Sequence, residues 1–220
     1  FVIFWSVVLV GIIGVFVFFW LISAGKLGFM PTFEELENPN NRFASEVYFA
    51  DGPIMNRYFE KENRKYIEYR EIPQSVIDAL IATEDVRFYD HSGVDVRGLF
   101  RVAKGLLTAN TSAGCGSTIS QQLAKMLFPR ESDLNVFELA IRKFREWVIA
   151  VRLEKSYTKE EILTMYLNKY DFLNLAVGIS SAADIYFQVP LDSLKVEQAA
   201  MLIGMAKNSS HYNPVRRPEL

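Results

Sequence analysis

At 220 residues, half of them hydrophobic, the chain has room for one substantial domain plus an anchor, with a soluble part long enough to bury a core. Its 24 Lys and Arg against 26 Asp and Glu leave a net charge of −2, so there is no global field for nucleic acid and any anion site must be local. One cysteine, Cys115, excludes an internal disulfide framework, and two histidines, His91 and His211, are too few for a usual His-rich zinc site. No cofactor is evidently essential, and a hard divalent cation, Mg2+ or Mn2+, on carboxylates or on a substrate diphosphate stays open.

The first charged residue is Lys26, so residues 1–25 form an uncharged run rich in Val, Ile, Phe and Trp. As a helix this run extends roughly 37 Å, enough to cross a hydrocarbon core of about 30 Å. It is also longer than the apolar core of a secretory signal, about 7–15 residues. A single transmembrane helix is expected. Residues 26–60 read as a linker and a small β-hairpin. Pro31 and Pro39 mark an irregular stretch, and Ser45 to Ala50 alternates toward Asp51-Gly52, a hairpin turn signal, before Ile54 to Phe59. Residues 61–220 read as one domain, mainly α from Ser75 on, with helices predicted near 75–89, 95–108, 118–127, 135–154, 159–168, 174–186 and 196–207. Thr158 with Glu161, and Thr118 with Gln121, have capping-box spacing.

Chemistry concentrates in two strings, Glu84-Asp85-Val86-Arg87-Phe88-Tyr89-Asp90-His91-Ser92-Gly93 and Gly116-Ser117-Thr118-Ile119-Ser120-Gln121-Gln122-Leu123-Ala124-Lys125. If the first is helical, Glu84, Phe88 and His91 share one face at i, i+4 and i+7, which sets a carboxylate against an aromatic wall and makes Glu84 the first candidate base. In the second, Gly116 permits close backbone approach. A helix beginning at Ser117 or Thr118 presents free N–H groups and a positive dipole end to an anion, with Lys125 about two turns on. Taken alone, that string is a capped helix with a solvated lysine. Arg142 and Glu146, alone, read as a surface i, i+4 ion pair worth roughly 0.3–0.5 kcal/mol.

These two strings continue through Arg142-Lys143-Phe144-Arg145-Glu146, Lys159 to Asn168 and Ala199 to Asn208. In this order the five blocks resemble the peptidoglycan glycosyltransferases of glycosyltransferase family 51, the glycan-polymerising module of class A penicillin-binding proteins. The resemblance implies a mainly α, lysozyme-like head lobe with a smaller jaw lobe that dips into the membrane. Leu99, Phe100, Leu106, Leu107, Met126, Leu127 and Phe128 are apolar residues open to lipid or to ordinary core. It implies lipid II and the growing glycan chain as substrates, membrane lipid as surroundings, and a C-terminal transpeptidase domain and cell-wall synthesis proteins as partners. It also places the domain outside the bacterial cytoplasmic membrane on a single-pass anchor.

By the same resemblance Glu84 is the base and Glu146 the second carboxylate. Asp85, Ser117, Thr118, Gln121, Gln122, Lys125, Arg142 and Lys143 then contact sugar and diphosphate. His91 is expected to fix its own loop by hydrogen bonding, and the last two blocks to pack helices, with Asn168 in a polar structural role. The chain departs from the family at Leu173 and Leu175, where many members carry glycine, which implies a different and more helical backbone there. It departs again at Cys115, Ser120 and Met126. A membrane-bound lytic enzyme and a non-catalytic scaffold that binds lipid-linked precursor compete with polymerisation. The cationic residues of the second and third blocks favour polymerisation, since cleaving a polymer needs no diphosphate clamp.

Overall fold

The computed structural model describes residues 1–28, 30–31, 45–48, 54–58, 63–107, 116–127, 135–209 and 211–217. The uncharged N-terminal run forms helix α1, Val2–Ser23. Among the described residues it is the one helix long and apolar enough to cross a membrane. Two short strands follow, β1 (Ser45–Tyr48) and β2 (Ile54–Tyr58), antiparallel with Ser45 opposite Tyr58. The Asp51-Gly52 turn between them lies outside the described residues, as do Cys115 and Phe128 and the side chains of Leu106 and Leu107.

The rest is mainly helical: α2 (Gln74–Glu84), α3 (Val96–Leu107), α4 (Ile119–Leu127), α5 (Val136–Ser156), α6 (Lys159–Lys169), α7 (Ile179–Phe187) and α8 (Val196–Lys207). A two-residue parallel pairing joins β3 (Asn63–Arg64) to β4 (Ala176–Val177). The nine-residue α4 lies between α5 and α6, and α2 packs on α8. Leu80, Phe88, Leu123, Leu153, Tyr166 and Leu202 are fully buried in one core, and each such side chain contributes about 1.5–3 kcal/mol. Met126 and Leu127 pack against this core, whereas Phe100 is 73% exposed.

Local chemistry sets the boundaries. Thr158 Oγ1 accepts from the Glu161 N–H at 3.2 Å while Glu161 Oε2 accepts from the Thr158 N–H at 2.7 Å, so the expected capping box starts α6. Asn135 and Glu138 make another at the start of α5, at 2.9 and 2.8 Å, which sequence reading missed. Asn168 staples the end of α6 to the segment before α2, donating to the Ile67 carbonyl at 2.8 Å and accepting from its N–H at 3.0 Å. The α1 helix is docked, not loose. The Phe18 and Phe19 rings sit edge-on to Phe144 of α5 at 5.3 and 5.7 Å, and Arg152 donates to the Ser23 carbonyl at 2.9 Å. A cation on the last carbonyls of a helix meets the negative end of its dipole.

Two expectations need correction. The helix predicted over 75–89 ends at Glu84, because Asp85 turns to φ −157°, ψ 73° and its carboxylate bonds elsewhere; Phe88–Asp90 is a separate 3-10 turn. Phe88 thus enters the core, and the Glu84–Phe88–His91 face does not form. The helix predicted from 174 begins at Ile179, because Leu173, Asn174 and Leu175 are left-handed, with φ of 66°, 50° and 66°. The loop is therefore less helical than its leucines implied.

Candidate active site

Glu84 closes the last turn of α2 at the edge of a cleft of about 230 Å³ that is also lined by Arg101, Gly116, Ser117 and Lys207. Its two oxygens differ. Oε2 accepts from Gln122 Nε2 at 2.6 Å, while Oε1 is buried with no hydrogen-bond partner among the described residues. The Gln122 Oε1 atom accepts in turn from the Tyr166 hydroxyl at 3.1 Å. Burial, then the Glu84 charge, raises the Tyr166 hydroxyl; the same two causes push Tyr170 up to about 12. Tyr170 spends its proton on the end of α8, donating to the Ala206 carbonyl at 2.9 Å, just before Lys207. Gln122, assigned from sequence to substrate, is thus in first place a partner of the carboxylate.

Asp85 is buried and committed to the fold. Each of its oxygens lies 3.0 Å from His91 Nε2, and Oδ2 also accepts from the Ile119 N–H at 3.1 Å, capping α4 across 34 residues. Thr118 Oγ1 donates to the Gly93 carbonyl at 2.7 Å and accepts from the Gln121 N–H at 3.2 Å. The Gln121 amide also reaches that carbonyl, at 3.2 Å, rather than closing a capping box on Thr118. Gly93 itself sits at φ +91°, where a Cβ would lie 2.7 Å from the Ala150 backbone, so this loop runs directly against α5. Asp85 is 7%, Thr118 2% and Gln121 0% exposed, and the polar groups named here bond within the loop and the helix start, although Asp85 and Thr118 also line the cleft. At the start of α4 the Asp85 carboxylate and the Thr118 hydroxyl take two of the N–H groups, those of Ile119 and Gln121.

Two of the three expected cations, Lys125 and Lys143, converge on one carboxylate. Lys143 Nζ donates to Ser117 Oγ at 2.8 Å and to Glu146 Oε2 at 3.1 Å, and Lys125 Nζ stands 3.8 Å from the same carboxylate oxygen. Glu146 is therefore buried and paired with Lys143, one helix position beyond the Arg142 expected at i, i+4, and with Lys125 from α4. Arg142 is half-buried on the same helix. One carboxylate holds two ammonium groups together and leaves a local excess of positive charge beside Ser117. Among the described residues no group of three or more His, Cys, Asp or Glu is arranged to hold a metal ion.

Two further cations line the cleft that sequence reading missed, Arg101 on α3 and Lys207 at the end of α8. The signal for Lys207 was a lone cation closing a helix otherwise read as packing. Arg87, by contrast, is paired with Asp95, whose Oδ1 also accepts from the Gly98 N–H at 3.0 Å and caps α3. Burial alone would push the Asp95 carboxyl up, yet the Arg87 hydrogen bond and the Gly98 N–H outweigh it and hold the group below its usual range.

Residues 51–220 match the family described as transglycosylase. Penicillin-binding protein 1A of Neisseria lactamica is 36% identical over 190 residues, 86% of this chain and 23% of the relative. Its namesake in Pseudomonas aeruginosa is 37% identical over 190 residues, again 86% of this chain but 22% of the relative. For Escherichia coli K12 the match is 37% over 186 residues, 84% of this chain and 21% of the relative. The chain thus spans less than a quarter of the length of these curated relatives. With residues 51–220 inside the match, the chain belongs to the transglycosylase family, that of the peptidoglycan glycosyltransferases its five ordered blocks resemble.

Proposed function

We propose that this chain polymerises lipid II into β-1,4-linked glycan strands with inversion at the donor sugar, and that Glu84 is the base. The observation that carries the reading is the split environment of Glu84, one oxygen anchored by Gln122 and the other buried without a partner at the cleft. Oε1 takes the proton of the acceptor N-acetylglucosamine 4-hydroxyl as that oxygen attacks C1 of the chain's terminal N-acetylmuramic acid. The bond from C1 to the phosphate oxygen breaks, and undecaprenyl diphosphate leaves with the electron pair. A positioned base contributes about 10²–10⁴-fold to such a step.

Lys125 and Lys143 meet the charge that develops on the leaving diphosphate, with Arg142 on the same helix adding to the field. Glu146 acts on them rather than on the sugar. It keeps two like charges within reach of one anion, and Ser117 fixes Lys143 at the cleft wall. Arg101 and Lys207 add positive charge along the same cleft. This is more cationic character than strand cleavage needs, which favours polymerisation over a lytic enzyme.

The α1 helix holds the domain at the outer face of a bacterial cytoplasmic membrane, where the lipid-linked substrate is anchored in the same bilayer. Exposed Phe100 on α3 and Val136 and Phe137 at the start of α5 face the lipid. The much longer relatives leave length for a C-terminal transpeptidase domain and for partners in cell-wall synthesis.

The test is to incubate the protein with lipid II in detergent and separate the products by length. Strands that a β-1,4-specific muramidase degrades are expected. Untouched lipid II, or shortening of preformed glycan instead, contradicts the reading.

A further inference from the structure

Tyr166 is fully buried on α6 and touches no part of the cleft, yet it ends a chain of two hydrogen bonds that begins at the base. The middle link is the side-chain amide of Gln122. A carboxylate can only accept, so the amide must turn its NH2 toward Glu84 and its carbonyl oxygen away. The group behind that oxygen therefore decides whether the orientation is stable. A donor there favours it; without one, the amide is free to exchange its ends and set an oxygen against the carboxylate.

Tyr166 is built to be that donor. Its ring stacks on Tyr170, with centroids 5.7 Å apart and planes at 24°, which fixes where the hydroxyl points. Burial and the nearby Glu84 charge both favour the protonated hydroxyl, so it has a hydrogen to give. We propose that Tyr166 is a positioning residue for Glu84, acting through Gln122: its hydroxyl selects the amide orientation that pins Oε2 and so presents Oε1 to the acceptor. The proposal rests on Glu84 being the base.

The test compares wild type, Tyr166→Phe, Gln122→Ala and the double variant in polymerisation of lipid II, followed to long times so that slow variants stay measurable. Tyr166→Phe is expected to lower kcat about ten-fold, since a slightly misplaced group forfeits much of the gain from orientation, with KM within about two-fold. In the Gln122→Ala background it should cost nothing further. Unchanged kcat, a loss carried by KM, or the same ten-fold loss in the Gln122→Ala background overturns the proposal.

The relay has a readout that does not need turnover. In protein labelled with 15N-glutamine, the Gln122 amide proton held by Glu84 should lose its downfield shift in Tyr166→Phe, and an unmoved signal overturns the relay. A wild type that makes no strands would count against the polymerase reading alone, because the amide signal still decides the role of Tyr166.

Discussion

At the scale of single residues the proposed mechanism divides the work between Glu84 and the lysine pair. That mechanism needs one fixed and one unpartnered carboxylate oxygen, and a counter-ion that holds the lysines 3.1 and 3.8 Å from one atom. If Lys143 stabilises developing charge, Lys143→Met should lower kcat about a hundred-fold, the usual cost of losing one such donor. Lipid II binding should fall far less; equal losses in kcat and binding would assign Lys143 to ground-state binding instead. Asp95 supplies a second test. Its folded carboxyl titrates below the usual 3.8, so its contribution to stability is present above that pH and is lost as pH falls through the folded value. Asp95→Asn should lower the thermal midpoint at pH 7 and flatten its decline as pH falls below the ordinary carboxyl value of 3.8. A variant as acid-sensitive as the parent would show that the Arg87–Asp95 pair does not carry this dependence.

At the scale of elements, helix existence was written in the sequence and helix ends were not. The 3.6-residue spacing placed every helix from α2 to α8, and Thr158 with Glu161 marked a true start. The α2 end was misread because Phe88 continues the apolar period, while the deciding event is the Asp85 carboxylate reaching Ile119 across 34 residues. Nothing in a local window reports such a bond. The 173–175 loop failed for a related reason. Leu173 is held by its N–H on Asp171 Oδ1 at 2.8 Å and by a bond from Ala176 N–H to its carbonyl at 2.8 Å, and Asn174 donates to Tyr186. These bonds impose a left-handed path that leucine disfavours by about 1–2 kcal/mol. Leu175 is 58% exposed and has little packing to lose. Leu175→Gly should therefore raise stability by about 0.5 kcal/mol once the added freedom of the unfolded chain is subtracted. A lower thermal midpoint would show that the left-handed backbone is not strained there.

At the scale of the whole molecule the site is a convergence of separate helices: Glu84 from α2, Gln122 from α4, Lys143 and Glu146 from α5, with Tyr166 behind them on α6 and Lys207 facing them from α8. Motif order singled out Glu84, Gln122, Lys143 and Glu146, but not which of them bond to one another. Asp85, Thr118 and Gln121 sit in the same strings as Glu84 and Lys125, and only the folded structure shows that they are buried and bonded to the loop and helix start. The α5 helix also carries the docking face for α1, through Phe144 and Arg152, so the anchor and the lysine–glutamate cluster share one rigid rod. The most direct measurement is single-turnover strand formation from lipid II by the parent and by Glu84→Gln, with lipid II binding measured on both. Loss of strand formation by about 10² or more with binding retained is the predicted result for a general base. A Glu84→Gln protein that elongates strands at the parental rate would contradict the account.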